Sequence, residues 1–270
     1  MIEKPPLTPR LVWRLTCLLL LIVFGLVLAL FSGMFFFQAR WQPALVTWWL
    51  RRLTSSLQLR ISIQGEPVEE PALWISNHVS WMDIPVLGGV RRLHFLSKAE
   101  VAEWPLIGLL AKVAGTLFIR RGSGDSAHVS AQMAEAIGEG KRVLFFPEGT
   151  TTDGHTVKRF FAKLFQTAHL AGCRIQPMVL CYQHEGELHP LAPFIGDDEM
   201  GAHLLNLLAL GPMDVTVQFL PVIDPAGHTA PELAIHCEDI MRTALHALHG
   251  ASPAPVREGW PGVVVRKAAS

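Results

Sequence analysis

Residues 72–83 read ALWISNHVSWMD, and this stretch decides the expected fold. Its first five residues are mostly apolar and are typical of a short buried strand. The polar residues that follow, among them Asn77 and His78, predict a turn that leads into a helix. Such turns at the carboxyl ends of strands are where α/β proteins place their reactive groups. The stretch therefore predicts an α/β fold with functional residues at one edge of its sheet.

The chain on either side of this stretch alternates short apolar runs with amphipathic segments. Further strands are predicted at residues 94–96, 116–120, 143–146, 175–182 and 215–222. Helices are predicted near residues 84–91, 99–113, 125–138, 158–171, 200–210 and 231–248. This alternation favours an α/β fold class, with a mixed, partly parallel sheet flanked by helices.

Residues 15–37 form an uncharged, strongly apolar run of 23 residues. An α-helix of that length spans roughly 34 Å, which is enough for the hydrocarbon core of a bilayer. A cleaved signal peptide is the alternative, but its apolar region is normally shorter and ends at small residues. This run ends in three phenylalanines, so we expect a retained N-terminal membrane helix.

Residues 41–59 place tryptophans and leucines at helical spacing beside Arg51 and Arg52. This composition is typical of a helix at the lipid headgroups, and the alternative is a core helix of a soluble domain. Basic residues flank the apolar run equally, so it either spans the bilayer or dips into one leaflet as part of a helical hairpin. The predicted organisation is membrane-anchoring helices at 1–60, one α/β domain at 61–250 and a loose tail at 251–270.

The 23 basic and 23 acidic residues give a formal net charge of zero, which argues against a nucleic-acid partner held by bulk positive charge. The charge is unevenly placed, since residues 1–60 carry a net +6 and residues 175–270 a net −7. A basic N-terminal segment suits the anionic headgroups of a bilayer. The 4 cysteines and 12 histidines show no metal-ligand spacing, so we expect no metal site.

Two residues of the turn after the first strand suit acid–base chemistry. His78 is the side-chain type best suited to act as a general base near neutral pH. Asp83 lies five residues further on, which a continuous helix would carry to a different face. If the chain turns between them, the Asp83 carboxylate can accept from one ring nitrogen, which leaves the other to take a proton from a hydroxyl. The alternative is a polar helix cap with an incidental histidine.

A second polar loop, PEGTTTDG at residues 147–154, follows the apolar strand predicted at 143–146. Its glycines, including Gly149, allow tight turns that leave backbone N–H groups open to an oxygen-rich ligand. Glu148 and the threonines, among them Thr150 and Thr151, could bind the hydroxyls of a polyol. The alternative is an ordinary polar loop after a strand.

A third segment, GTLFIRR at residues 115–121, ends a predicted strand in two arginines. Guanidinium groups match phosphate or carboxylate groups bidentately, so Arg120 and Arg121 are candidates for holding an anionic headgroup. The alternative is a pair of solvated surface arginines.

Taken together and in this order, these segments resemble the lysophospholipid acyltransferase family, which comprises the glycerolipid acyltransferases. The matching motifs are N-H-x4-D at residues 77–83, G-x-x-F-I-x-R at 115–121 and F-P-E-G-T at 146–150. A weaker fourth block is the strand that contains Pro177. The resemblance covers roughly residues 65–220 and implies the mixed sheet of the glycerolipid acyltransferases.

The resemblance implies transfer of a fatty acyl group from an acyl thioester, on CoA or acyl carrier protein, to the hydroxyl of a lysolipid. His78 would be the general base and Asp83 its orienting partner, with no acyl-enzyme and no cofactor besides the thioester co-substrate. The implied location is a bacterial inner membrane, with the active site facing the cytoplasm. The motifs assign acceptor binding to Arg121, Glu148, Gly149 and Thr150, and the neighbouring Arg120 and Thr151 complete the predicted binding residues.

One departure from the family pattern concerns the acceptor. Phosphatidate-forming members usually carry Arg after F-P-E-G-T, whereas this chain has Thr151, followed by T-D-G. This reading is similar to that of bacterial members that acylate other lysolipids, including lyso-ornithine lipid. The acceptor therefore stays open between lysophosphatidate and lyso-ornithine lipid. A non-catalytic membrane scaffold with this fold is the alternative from another functional class.

Overall fold

The computed structural model describes residues 5–35, 42–119 and 126–250. Arg120, Arg121 and the predicted tail at residues 251–270 lie outside these described residues. Within them, the backbone forms one mixed sheet with helices packed on both faces. This confirms the α/β fold class predicted from the sequence.

The apolar runs of the sequence form the strands of this sheet. The described strands are β1 (Leu59–Gln64), β2 (Leu73–Ser76), β3 (His94–Lys98), β4 (Leu117–Ile119), β5 (Val143–Phe145), β6 (Ile175–His184), β7 (Glu187–Leu188) and β8 (Met213–Phe219). Along β2, Trp74 packs into one core cluster while Leu73 and Ile75 pack into the other, as the two-residue period of a strand requires. Strand β2 is thus buried on both faces, which is typical of a central parallel strand.

The strand order is β1-β8-β6-β2-β5-β3-β4, and β7 pairs with β6 as a short hairpin. All neighbours in the run β6-β2-β5-β3-β4 are parallel. Strand β8 runs antiparallel to β6 and parallel to β1, so the sheet is mixed. Because parallel strands point the same way, the carboxyl ends of β2 and β5 meet at one edge of the sheet, where their polar turns come together.

Helices cover both faces of the sheet. The described α-helices are α1 (Pro9–Phe35), α2 (Gln42–Ser56), α3 (Asp83–Val90), α4 (Ile107–Val113), α5 (Ser126–Gly138), α6 (Gln166–Ala171), α7 (Met200–Ala209) and α8 (Ala230–Leu248). Helices α1, α3 and α7 contribute buried residues to the cluster around Trp74, whereas α5, α6 and α8 contribute to the cluster on the other face. Helix α8 begins at a capping box between Thr229 and Glu232.

The prediction of a single helix at residues 99–113 is wrong. A 3₁₀ turn at Ala99–Glu103 is separated from α4 by a break at Trp104 and Pro105. Proline disfavours the helical conformation of the residue before it, and Trp104 is accordingly extended, with ψ at 128°. The periodic pattern therefore continues across a position that the backbone cannot make helical.

The helix predicted at residues 158–171 also begins later than expected, with a 3₁₀ turn at Ala162–Phe165 followed by α6. The backbone N–H of Lys158 donates to the Glu148 carboxylate (2.8 Å), and that of Phe161 donates to the Pro147 carbonyl oxygen (2.9 Å). These bonds join residues 158–161 to the loop after β5, and Phe161 is accordingly extended, with ψ at 111°.

Strands β1 and β7 are absent from the predicted strands. The helix expected at residues 41–59 ends as α2 at Ser56, and β1 begins three residues later at Leu59. Strand β1 lies at the edge of the sheet and pairs with β8. The predicted division after residue 60 falls within β1 and stays a prediction.

Helix α1 is long and apolar enough to cross a membrane, judged by length and composition. Residues Pro9–Leu30 have a mean hydropathy of 2.6, and 22% of the apolar window is buried against the rest of the chain. Leu18 is 2% exposed, whereas Leu20 is 64% exposed, so one side of α1 packs and the other is uncovered. The Arg14 guanidinium fixes the packed side by donating to two carbonyl oxygens at the end of α7 (2.6 and 2.7 Å).

Candidate active site

Asn77 anchors the turn that follows β2. Its side-chain amide nitrogen donates to the carbonyl oxygen of Leu180 on β6 (3.0 Å), and its amide oxygen accepts from the Leu180 backbone N–H (2.7 Å). Asn77 is fully buried, and a buried amide is stable only with such partners. The two bonds fix the direction in which the chain leaves β2, and therefore the position of the next residue, His78.

The structure brings His78 and Asp83 into contact. His78 Nδ1 lies 2.7 Å from Asp83 Oδ2, and the same oxygen accepts the backbone N–H groups of Val79 (2.8 Å) and Ser80 (3.1 Å). These bonds curl the chain back on itself before α3 begins at Asp83. The turn that the sequence required for this contact is therefore present.

The contact with Asp83 sets the chemistry of the imidazole. A carboxylate only accepts hydrogen bonds, so the neutral His78 ring carries its proton on Nδ1 and has its lone pair on Nε2. The ring stacks on Phe146, with centroids 3.9 Å apart and planes 11° from parallel. The His78 side chain is 21% exposed, whereas that of Asp83 is fully buried. An accessible imidazole nitrogen whose ring is oriented by a buried carboxylate can accept a proton from a hydroxyl.

Tyr182 holds the second oxygen of Asp83. Its hydroxyl donates to Asp83 Oδ1 (2.6 Å) from near the carboxyl end of β6. Burial and the adjacent carboxylate raise the pKa of Tyr182 well above its ordinary value, so the phenol stays protonated and keeps donating. The sequence reasoning missed this residue, although Tyr182 is the only tyrosine in the chain and ends a predicted apolar strand.

Glu148 joins the two polar loops. Its Oε1 accepts the backbone N–H of His78 (2.8 Å) and its Oε2 accepts that of Lys158 (2.8 Å). The residue is 3% exposed, and this burial raises the pKa of Glu148 to about 7 despite the two N–H donors, which act in the opposite direction. Glu148 therefore fixes the backbone of His78, the general-base candidate, by accepting its N–H.

Gly149 and Thr150 form the bend after Glu148. Gly149 has a φ of 68°, a left-handed conformation that glycine adopts without strain, and its N–H donates to the Phe146 carbonyl oxygen (3.1 Å). The bend turns the chain sharply at the end of β5 and leaves Thr150 exposed. Thr150 is thus placed to meet a ligand that approaches this edge of the sheet.

The next two threonines tie the loop to the rest of the site. Thr152 donates to the His78 carbonyl oxygen through both its N–H (2.8 Å) and its hydroxyl (3.2 Å). The Thr151 hydroxyl donates to the carbonyl oxygen of Phe194, whose own N–H donates to the Val79 carbonyl oxygen (3.0 Å). Sequence reasoning included the threonines of this loop as candidate ligands of a polyol, but it identified neither Phe194 nor these contacts, because they join distant segments.

Of the predicted residues, the structure therefore gathers His78, Asp83 and Glu148, with residues 149–151 on the same loop. Arg120 and Arg121 lie outside the described residues, directly after β4. Strand β4 runs parallel to its neighbours, so its carboxyl end faces the same edge as those of β2 and β5. Over the described part of the chain, no group of three or more His, Cys, Asp or Glu residues is placed to hold a metal ion.

Residues 60–181 match the family model described as Acyltransferase. The lyso-ornithine lipid O-acyltransferase of Pseudomonas aeruginosa is 46% identical over 201 residues, which cover 74% of this chain and 78% of that protein. The 1-acyl-sn-glycerol-3-phosphate acyltransferase of Neisseria meningitidis serogroup B is 31% identical over 179 residues, which cover 65% of this chain and 70% of that protein.

The fold is similar to the crystal structure of the 1-acyl-sn-glycerophosphate acyltransferase from Thermotoga maritima. The TM-score is 0.62, and the match covers 88% of this chain and 99% of that chain. At 20% sequence identity this likeness bears on the fold alone. The family itself rests on the more similar relatives, which confirm the resemblance carried by the sequence motifs. The chain belongs to the acyltransferase family.

Proposed function

We propose that this acyltransferase moves a fatty acyl group from an acyl thioester to the hydroxyl of a lysolipid, with His78 as the general base. The observation that carries the proposal is the 2.7 Å contact between His78 Nδ1 and Asp83 Oδ2. It orients the ring and presents the basic Nε2 on an accessible side chain. The names of the similar proteins, which act on lysolipids, supply the substrate class.

In the proposed reaction, Nε2 of His78 takes the proton of the acceptor hydroxyl as the oxygen attacks the thioester carbonyl carbon. The new C–O bond forms, the C–S bond breaks, and the leaving thiolate receives the proton from the imidazolium. Asp83 stabilises the imidazolium during the step, and backbone N–H groups near the turn would stabilise the oxyanion. The acyl group passes directly between substrates, so no acyl-enzyme forms.

We propose lyso-ornithine lipid as the acceptor. A relative named for that acceptor is 46% identical to this chain, whereas a relative named for 1-acyl-sn-glycerol-3-phosphate is 31% identical. Thr151, where phosphatidate-forming members usually have Arg, donates its hydroxyl to the Phe194 carbonyl oxygen. A hydroxyl that bonds the backbone supplies no positive charge for an acceptor phosphate. Lysophosphatidate is the alternative acceptor.

The proposed setting is the inner membrane of a bacterium, with the site facing the cytoplasm, where acyl carrier protein and CoA supply thioesters. The uncovered apolar side of α1, which includes Leu20 at 64% exposure, would contact lipid. Arg120 and Arg121 would hold the anionic part of the acceptor, together with the exposed Thr150.

The test is an assay of the purified full-length protein with two acceptors and two donors. Lyso-ornithine lipid and lysophosphatidate are each supplied with acyl carrier protein thioester and with CoA thioester, and thioester release and acylated product are measured. We expect the highest kcat/KM with lyso-ornithine lipid. A preference for lysophosphatidate would overturn the acceptor, and no release with any pair would favour a non-catalytic scaffold.

A further inference from the structure

A pocket of about 340 Å³ lies between α2 and the segment that follows α3. It is lined by Ala44, Thr47, Trp48, Arg51 and Arg92. Two arginines thus line one cavity, and none of the described residues that line it is acidic. Like charges brought together in this way repel each other unless an anion lies between them.

The two arginines are held in place differently. Arg51 Nε donates to the carbonyl oxygen of Gly89 in the last turn of α3 (2.6 Å), so its guanidinium caps the negative end of that helix. Arg92 follows in the connection to β3, and its Nη1 is buried with no hydrogen-bond partner among the described residues. Burial lowers the pKa of both arginines. A desolvated donor without a partner is costly unless a ligand satisfies it.

The neighbourhood of the pocket indicates where its ligand comes from. The indole of Trp48, which is 40% exposed, meets the ring of Phe24 on α1 edge to face, with centroids 6.1 Å apart. Phe24 is 44% exposed and belongs to the uncovered apolar side of α1. The guanidinium of Arg52 also lies over the Trp48 ring, 5.4 Å from its centroid. An aromatic ring between an apolar face and arginines is typical of a membrane interface.

The pocket is separate from the catalytic turn. Helix α3 begins at Asp83 and ends at Val90, so the Gly89 carbonyl capped by Arg51 lies roughly 10 Å along the helix axis from the catalytic carboxylate. The same short helix therefore carries the proposed catalytic residue at one end and the arginine pocket at the other.

We propose that this pocket binds the phosphate group of a membrane phospholipid that is not a substrate. The Arg51 and Arg92 guanidiniums hold the phosphate, and the lipid tails lie along the uncovered side of α1 beside Phe24. Guanidinium groups bind phosphate oxygens bidentately, which suits a pocket with two of them. The bound lipid fixes the height of α3, and with it the catalytic turn, relative to the bilayer surface. The site is independent of which acyl acceptor the enzyme uses.

The test uses the full-length protein in detergent, titrated with dihexanoyl phosphatidylglycerol and, separately, with inorganic phosphate at constant ionic strength. Affinity is read from the shift in melting temperature. We expect Arg92→Gln to weaken binding of the lipid at least about tenfold, because it removes a charge-assisted hydrogen bond. The matched control is Arg91→Gln, which removes the neighbouring charge from a residue paired with Glu69 outside the pocket, and should keep wild-type affinity.

A second variant keeps the test decisive if Arg92→Gln does not fold. Ala44 is exposed and lines the pocket, so Ala44→Glu places a carboxylate beside the arginines and should abolish lipid binding as well. If Arg91→Gln and Arg92→Gln weaken lipid binding equally, the loss follows from the net charge of the protein, and the proposal is overturned. Unchanged binding in both Arg92→Gln and Ala44→Glu would also overturn it. Inorganic phosphate binding as tightly as the lipid would exclude a lipid site.

Discussion

Strand β2 and helix α1 are both almost wholly apolar, yet the fold places them in opposite environments. All four residues of β2 are buried, and Trp74 at its centre is 0% exposed. Helix α1 buries Leu18 but leaves Leu20, two residues away, 64% exposed. Apolar composition thus marks both segments as avoiding water, but only packing shows whether protein or lipid replaces it.

Each of these two segments is fixed in place by one buried polar residue, Asn77 after β2 and Arg14 in α1. At the end of β2, both polar atoms of the Asn77 side-chain amide bond Leu180, which fixes the turn that carries the candidate base His78. In α1, the single buried cation Arg14 bonds the end of α7 and holds one side of the helix against the domain. In the proposed function, the buried strand positions the general base, and the half-covered helix positions the domain at a bilayer surface. Four predictions test this contrast.

The largest effect is expected at the polar end of β2. His78→Ala removes the proposed general base and should lower kcat/KM by about 10²- to 10⁴-fold, the usual contribution of such a group. Thioester release measures the activity, and the melting temperature shows whether the fold persists. His184→Ala is the matched control, because His184 is exposed at the end of β6. Wild-type activity in His78→Ala would refute the mechanism.

A pair of leucine substitutions tests the two sides of α1. Leu18→Ala opens a cavity in the core cluster and should lower the free energy of unfolding by about 2–5 kcal/mol. Leu20→Ala removes the same atoms from an uncovered position and should change it by less than about 0.5 kcal/mol. Thermal or urea unfolding in detergent measures both. Equal losses would show that Leu20 also packs against protein.

Glu148 gives the buried loops a pH dependence that the exposed side of α1 lacks. Burial raises the pKa of Glu148 from its ordinary 4.5 to about 7, so between these values the folded protein binds a proton that the unfolded chain releases. The free energy of unfolding should therefore fall as pH rises from 4.5 to 7, by up to about 3 kcal/mol from this group. Glu148→Gln cannot titrate and should remove that slope. Parallel pH profiles for wild type and variant would contradict this account.

The turns of the candidate site could be predicted from sequence because each is local. His78 and Asp83 lie five residues apart in one turn, and Glu148 directly follows another strand. Tyr182 is different, since 99 residues separate it from Asp83 and its contact depends on the register between β2 and β6. No local pattern fixes that register. Tyr182, which bonds the candidate acid–base pair from a distant strand, is therefore harder to predict than the pair itself.

The elements of the fold could also be predicted only in part. Alternating apolar runs predict the mixed sheet and most of its helices, because period and turn residues are local properties. The helix expected at residues 158–171 fails at its start, where residues 158–161 are bonded to the loop after β5 and Phe161 is extended. Strand β1 is missed although its residues, LRISIQ, alternate apolar and polar side chains, because the helix predicted at residues 41–59 overlaps its first residue.

The smallest effect is expected at Tyr182. Tyr182→Phe removes one donor from Asp83 Oδ1 and leaves the packing of the ring unchanged, so kcat should fall roughly tenfold with little change in KM. Thr216→Val is the control, because it removes a buried hydroxyl that bonds Ser62 (3.1 Å) on the neighbouring strand pair. Both variants should lose about 1 kcal/mol of stability. If Tyr182→Phe keeps wild-type kcat as the control does, the hydroxyl supports only the fold; a selective loss of kcat shows that the buried strand β6 positions Asp83 for catalysis.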